Sequence, residues 1–230
     1  MNAHSTNLDN IREVHRLLDS LANEVVFVGG ATVSLYATAP AAEEARPTAD
    51  VDIVVELASY GNYAALEAQL RKLGFENDQS SGIICRYLIE GLIVDVMPTE
   101  SEVLGFANRW YPAGFKSAMT YAVDERTSVL IFTPPYFIAA KLEAFHNRGG
   151  NDGRSSSDFE DIIYILNNRP QIWKEFREAP EEVRSYLQTA FAVLVQEPSI
   201  EEWISCHLEY PFAAMQSEFI LRNLQVFVAK

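Results

Sequence analysis

A chain of 230 residues, 48% of them hydrophobic and 22% charged, carries enough apolar material for one good core, or for a catalytic unit with a smaller helical one. Its formal charge of -14 repels phosphate backbones at long range, which argues against a broad nucleic-acid surface and leans towards small substrates or a protein partner. Cys85 and Cys206 are too few and too far apart for a disulfide framework, nothing approaches the roughly 20 apolar residues of a membrane span, and the polar start lacks a signal-peptide pattern, so a cytoplasmic protein without a membrane partner is expected.

Leu8, Ile11, Val14, Leu17, Leu18 and Leu21 recur at the spacing of one helix face and predict a leading helix over 8–22. The apolar run Val25-Val26-Phe27-Val28 reads as a strand ended by Gly29-Gly30, and 31–37 can turn directly into a helix. The segment 38–49, rich in Ala, Pro and Glu and without period, reads as a mobile loop. A strand over 51–57 and a helix over 60–73 follow, the helix stopping at Gly74. Strands over 83–89 and 92–97 are joined by Glu90-Gly91, a hairpin turn. The stretch 106–124 shows no clear period, and 127–132 is a further strand closed by Thr133-Pro134-Pro135. Beyond it helices are predicted over 136–146, 158–166, 171–178 and 181–196, with Pro198 and Pro211 opening two more. Trp173, Trp203 and Phe212 are expected in the core of this helical part. The reading is an α+β fold: a mixed sheet flanked by helices over 1–134, and a helical unit over 135–230 that closes the active-site cleft.

Asp50 and Asp52 stand two apart at the start of a strand, where side chains at i and i+2 share a face. Two such carboxylates repel unless a cation sits between them, and hard oxygen ligands select magnesium or manganese. Asp95 lies within Leu92-Ile93-Val94-Asp95-Val96-Met97, where an ionised carboxylate in a dry core needs a partner. If that strand neighbours the first, all three acids converge as metal ligands, with one cation lowering the pKa of an attacking hydroxyl and another stabilising a leaving pyrophosphate. Gly29-Gly30, between a strand and a helix start, would let backbone N–H groups approach a triphosphate. Taken singly, an Asp-Val-Asp or a Gly-Gly is bland, since both flank ordinary turns. Their order along the chain is what points to metal chemistry.

In that order the sequence resembles the nucleotidyltransferase superfamily with the DNA polymerase β-like fold: Gly29-Gly30 match its glycines, Asp50 and Asp52 its paired acids and Asp95 its third acid. The usual serine is absent, because Ala31 follows Gly30, so a hydroxyl contact to phosphate falls to Thr32, Ser34 or Thr48. Within the superfamily, Arg46-Pro47-Thr48-Ala49-Asp50-Val51-Asp52 is similar to the Arg-x-Thr-x-Asp-x-Asp of AbiEii-type proteins, the toxin halves of abortive-infection toxin-antitoxin pairs and their stand-alone relatives. A second block, Lys141-Leu142-Glu143-Ala144-Phe145 followed by Ser157-Asp158-Phe159-Glu160-Asp161, is similar to that group's lysine-plus-acid region. The resemblance implies an enzyme moving a nucleoside monophosphate from a nucleoside triphosphate to a hydroxyl. Asp50, Asp52 and Asp95 would act as catalytic metal ligands, with Gly29, Gly30, Thr32, Arg46 and Thr48 around the nucleotide. It also implies an antitoxin protein as a partner.

Lys141 stands on a largely apolar helix, where an ammonium needs an anion: a triphosphate, Glu143, or an acid of the next helix. Asp158 and Asp161 share a helix face, Asp158 reading as a cap and Asp161 as a catalytic partner that orients Lys141 or accepts a proton. Arg148-Gly149-Gly150-Asn151-Asp152-Gly153-Arg154 reads either as a substrate-gripping loop or as a solvated turn. The acceptor is left open between a tRNA end, a protein side chain and a small molecule. A second reading is a non-catalytic binding or interaction protein on the same fold, which expects the three acids to diverge or to be engaged in salt bridges.

Overall fold

The computed structural model describes residues 6–40, 42, 44–57, 59–148 and 152–229. The chain divides into two compact units, Met1–Leu35 with Arg46–Thr133, and Tyr36–Ala45 with Pro134–Lys230. Among the described residues no helix is long and apolar enough to cross a membrane.

The first unit opens with α1 (Asn7–Leu18), started by a capping box in which the Thr6 side chain accepts from Asp9 N–H and the Asp9 carboxylate accepts from Thr6 N–H. Ile11, Val14 and Leu18 are fully buried on its inner face. The predicted single helix over 8–22 is in fact broken at Asp19, whose φ of 50° ends the α-turns, and 19–23 continues as a 3-10 segment. The strands are β1 (Val25–Val28), β2 (Asp50–Val55), β3 (Glu76–Asn77), β4 (Arg86–Ile89), β5 (Leu92–Pro98), β6 (Met119–Ala122) and β7 (Ser128–Ile131), with α2 (Tyr60–Lys72) between β2 and β3 and the short α3 (Ser101–Leu104) and α4 (Tyr111–Lys116) after β5. They form one mixed sheet in the order β3-β4-β5-β2-β1-β7-β6. β2 runs parallel to β5 and β1 parallel to β7, while the other neighbours are antiparallel.

The α+β class is therefore as read from the sequence, with two strands added. β3 and β6 lie at the two edges of the sheet. An edge strand buries little on either face, so it leaves no apolar alternation to read, and β6 accordingly has only half-buried and exposed positions. In the interior the alternation is clear: Val51 and Ile53 on β2, Val94 and Val96 on β5, and Tyr87 on β4 are buried on one face. Burying each such side chain contributes about 1.5–3 kcal/mol. The opposite face of the same three strands carries the acids.

The second unit packs α5 (Pro134–Asn147), α6 (Ser157–Asn168), α7 (Ile172–Glu178), α8 (Glu181–Leu194), α9 (Ile200–Ser205) and α10 (Ala213–Val228). α5 begins at the prolines themselves, which suit a first turn because their missing N–H has no partner there. Phe145, Phe159 and Trp203 meet at ring separations of 5.5–6.3 Å, and Phe176 packs on Phe191 and Phe227 at 5.9 and 5.3 Å. Trp173 and Trp203 are buried as expected, but Phe212 is 59% exposed. It precedes α10, outside the buried stripe of Ser217, Ile220, Leu224 and Phe227.

Residues 38–45, part of the loop read from the sequence over 38–49 in the first unit, group with Tyr36 and Ala37 in the second. The backbone N–H groups of Thr38 and Ala39 both donate to the Asn168 carbonyl at the end of α6, at 2.9 and 3.0 Å. Arg169 donates to the Tyr36 carbonyl at 2.9 Å, and the Tyr36 ring lies 4.6 Å from that of Phe137. Tyr36, Thr38 and Ala39 are thus held by hydrogen bonds to the end of α6, distant in sequence, which no local period encodes.

Candidate active site

Three strands build the site by their register. Asp52 on β2 pairs with Asp95 on β5, Arg86 on β4 pairs with Asp95, and Val28 on β1 pairs with Asp52. Residues paired across a sheet point to the same face, so Arg86, Asp95, Asp52 and Val28 form a row, and Asp50 joins that face two residues from Asp52. The convergence of the three acids requires β2 and β5 to be neighbours, and they are. Their parallel pairing needs a long connection, and the one between them contains α2, β3 and β4.

The row ends at a turn. Gly29 has φ of +72°, and a Cβ placed on it would stand 1.9 Å from Asp52 Oδ2, so the Asp52 carboxylate occupies the space a side chain would need. Only glycine meets both conditions at little cost. Gly30 then starts a 3-10 segment running to Tyr36. Thr32 is fully buried, and its hydroxyl donates to the Gly29 carbonyl at 2.9 Å, so it holds the turn closed. Thr48 braces the backbone in the same way, since its hydroxyl donates to the Asp50 carbonyl at 3.0 Å and its N–H to Asn7 Oδ1 at 3.0 Å. Asn7 also donates to the Arg46 carbonyl at 2.9 Å, so the buried first residue of α1 clamps the Arg46–Thr48 approach to β2.

The dominant electrostatic feature is Arg86. Its Nε and Nη2 fork onto Asp95 Oδ1 and Oδ2 at 2.8 and 2.7 Å, and Nη2 also reaches Asp50 Oδ2 at 2.9 Å. The hydrogen bonds to Asp95, and then the charges of Asp95 and Asp50, hold the guanidinium pKa above its ordinary value against the cost of burial. Beside it, Cys85 is buried and its thiol is pushed up to about 11, first by burial and then by the charge of Asp95. The acid in the apolar strand thus has its partner, and the partner is an arginine.

The donor set, three carboxylates on one sheet face, has the chemistry that a divalent cation of the magnesium type requires. Two of the three already hold a cationic group between them. Among the described residues no group of three or more His, Cys, Asp or Glu is arranged to hold a metal ion. The three carboxylates match such an ion in chemical type and share one face, and the counter-charge that two of them have is Arg86.

In the second unit Lys141 Nζ lies 2.6 Å from Asp161 Oδ2 and 3.1 Å from Asp158 Oδ1, and Arg148 Nη1 lies 3.0 Å from Asp158 Oδ2. Of the anions open to Lys141, acids of the next helix are the ones it meets. Asp158 is consequently no cap: it is buried in this cluster, and the cap of α6 is Ser156, whose hydroxyl accepts from Phe159 N–H. Gly149, Gly150 and Asn151 of the glycine-rich stretch lie outside the described residues. Arg154, at its end, pairs with Asp152 and Glu202.

Sequence reasoning gave no role to Arg86 or Asn7. The first was accessible: a two-residue turn at Glu90-Gly91, both at positive φ, pairs Ile89 with Leu92 and therefore Arg86 with Asp95. Asn7 carried no such signal.

No family model and no curated protein matches the chain. Among solved structures, it is similar to the crystal structure of an antigenic nucleotidyltransferase-like protein from Paracoccidioides brasiliensis, at 20% identity and a TM-score of 0.53 over 89% of this chain and 94% of that one. The chain has a nucleotidyltransferase-like fold.

Proposed function

We propose that the chain is a metal-dependent nucleotidyltransferase that moves a nucleoside monophosphate from a nucleoside triphosphate to a hydroxyl acceptor, with pyrophosphate leaving. The observation that carries this reading is the row of Asp52 and Asp95 in parallel register, with Asp50 on the same face and Gly29 packed against Asp52. Asp50, Asp52 and Asp95 would hold Mg2+ or Mn2+. When bound, such an ion neutralises phosphate charge and makes a coordinated hydroxyl easier to deprotonate. Gly29 and Gly30, at the end of β1, would offer backbone N–H groups to a phosphate. The contribution of these residues is positioning and charge placement. Lys141, matched by Asp158 and Asp161, is assigned to bracing α5 against α6.

The formal charge of -14 favours a cationic small molecule or a protein side chain over a tRNA end as acceptor. The likeness of 46–52 and of the Lys141 block to AbiEii-type proteins extends the proposal to a cytoplasmic toxin with a protein antitoxin. Growth arrest on induction in a bacterial host, relieved by Asp52→Asn, would support that role.

A second reading has its own observation. Arg86 engages Asp50 and Asp95 in ion pairs, as a non-catalytic protein on this fold would permit. One experiment separates the two: incubation with each α-labelled nucleoside triphosphate and Mg2+ or Mn2+, in the presence of tRNA, protein or aminoglycoside, for wild type and Asp52→Asn. The enzymatic reading expects label on one acceptor class and its loss in the variant. Absence of both transfer and triphosphate binding would leave the non-catalytic reading standing.

A further inference from the structure

Arg86 and a divalent cation compete for the same oxygens. The guanidinium takes both oxygens of Asp95 and one of Asp50 at 2.7–2.9 Å. A magnesium-type ion needs carboxylate oxygens at about 2.0–2.1 Å in octahedral array. It would also stand within a few ångströms of a guanidinium that stays cationic in proteins and is already seated on the same two carboxylates. The two cations cannot share Asp50 and Asp95, so the ion enters only as Arg86 leaves.

Arg86 is not sealed in. Its side chain is 18% exposed and that of Asp50 33%, and Leu88, next along the same face of β4, is exposed. A departing guanidinium needs another anion that can accept two parallel N–H bonds, and a pair of phosphate oxygens provides one. We infer that Arg86 is an exchangeable counter-cation: it offsets part of the charge of the acid site and keeps Asp50 and Asp95 closed to metal in the free protein, and transfers to the triphosphate when nucleotide arrives. Metal loading is thereby conditional on substrate. The inference rests on the proposed nucleotidyltransferase reading and adds to it the order in which the site is filled.

Two consequences set this arrangement apart from a simple three-acid metal site. The wild-type fold does not depend on metal, since its acids already have a partner. Removal of Arg86 converts the same acids into a site that metal fills without nucleotide.

The test uses the full chain as wild type, Arg86→Met, Arg86→Lys and Arg86→Met with Asp52→Asn. Free Mn2+ is followed by its paramagnetic resonance signal during titration, alone and then with non-hydrolysable ATP and GTP analogues, and thermal melts are recorded with and without Mn2+. Without nucleotide, Arg86→Met should bind Mn2+ at least about tenfold more tightly than wild type, because a competing cation has gone. Arg86→Lys should fall between them, and the double variant should lose the gain. In the melts Mn2+ should raise the midpoint of Arg86→Met and leave that of wild type unchanged. Equal Mn2+ affinity of wild type and Arg86→Met without nucleotide, with wild type binding Mn2+ once the analogue is added, overturns the inference and leaves the metal-dependent reading intact. An Arg86→Met chain that stays unfolded in millimolar Mn2+ also overturns it, since metal then fails to replace the arginine. Absence of Mn2+ binding by every variant under every condition overturns both.

Discussion

Gly29 and Asp52 occupy one another's space: the carboxylate of Asp52 lies where the Cβ of any other residue at position 29 would stand, 1.9 Å from its Oδ2. The turn that ends β1 and the acid that opens the site are thus one construction. Gly29→Ala should lower stability by at least about 2 kcal/mol, combining the left-handed backbone with the displaced carboxylate. Urea unfolding measures it, and a variant as stable as wild type would show that the turn can relax without disturbing Asp52.

Asn7 provides both halves of the clamp on the strand bearing Asp50, donating to the Arg46 carbonyl and accepting from Thr48 N–H. Asn7→Ala leaves both groups without that partner and should cost about 1–3 kcal/mol. Asn7→Asp keeps the acceptor and loses the donor, so its denaturation midpoint should lie between the two. An Asn7→Asp variant no better than Asn7→Ala would point to the Arg46 contact alone.

Lys141 is the counter-charge for two buried carboxylates. Lys141→Met should destabilise by about 3–5 kcal/mol, because Asp158 and Asp161 lose the buried ammonium between them. Adding Asp158→Asn and Asp161→Asn should recover much of that loss, and the Arg148 released by the change is exposed enough to remain hydrated. A surface lysine would cost under about 0.5 kcal/mol on removal, with nothing to recover.

Asp124 gives a pH signature. Its carboxyl is held down at about 2, below its ordinary 3.8, first by Arg126 N–H and then by the Arg12 side chain. A folded pKa below the unfolded one means that the unfolded chain binds more protons in this window. The contribution is complete above pH 3.8 and is lost as pH falls towards 2. Urea midpoints of wild type and Asp124→Asn should therefore converge over that range. A gap that stays constant would assign the difference to something other than this ionisation.

The sequence reading located β1, β2, β4, β5 and β7 and each of the longer helices, since a buried stripe or alternating face writes its period directly into the residue order. It placed Phe212 in a core it does not enter and made Asp158 a cap, and both departures arise at helix starts. There the period has barely begun, so burial is set by what lies alongside. Ser156, two residues further back, was the competent cap: a short hydroxyl in extended backbone reaches the N–H of Phe159.

What the residue order determined by itself is local: that Asp50 and Asp52 share a face, that a positive-φ glycine can follow β1, and that the Glu90-Gly91 turn sets Arg86 opposite Asp95. Each follows from backbone geometry over a few bonds. What only the tertiary structure decided is which strands become neighbours. The parallel register that puts Asp95 beside Asp52, the α1 asparagine that grips the approach to β2, and the two acids that meet Lys141 all join segments whose separation no local period encodes. Their distances are set by burying the apolar faces of whole elements at once, and the acids come together on the face left over.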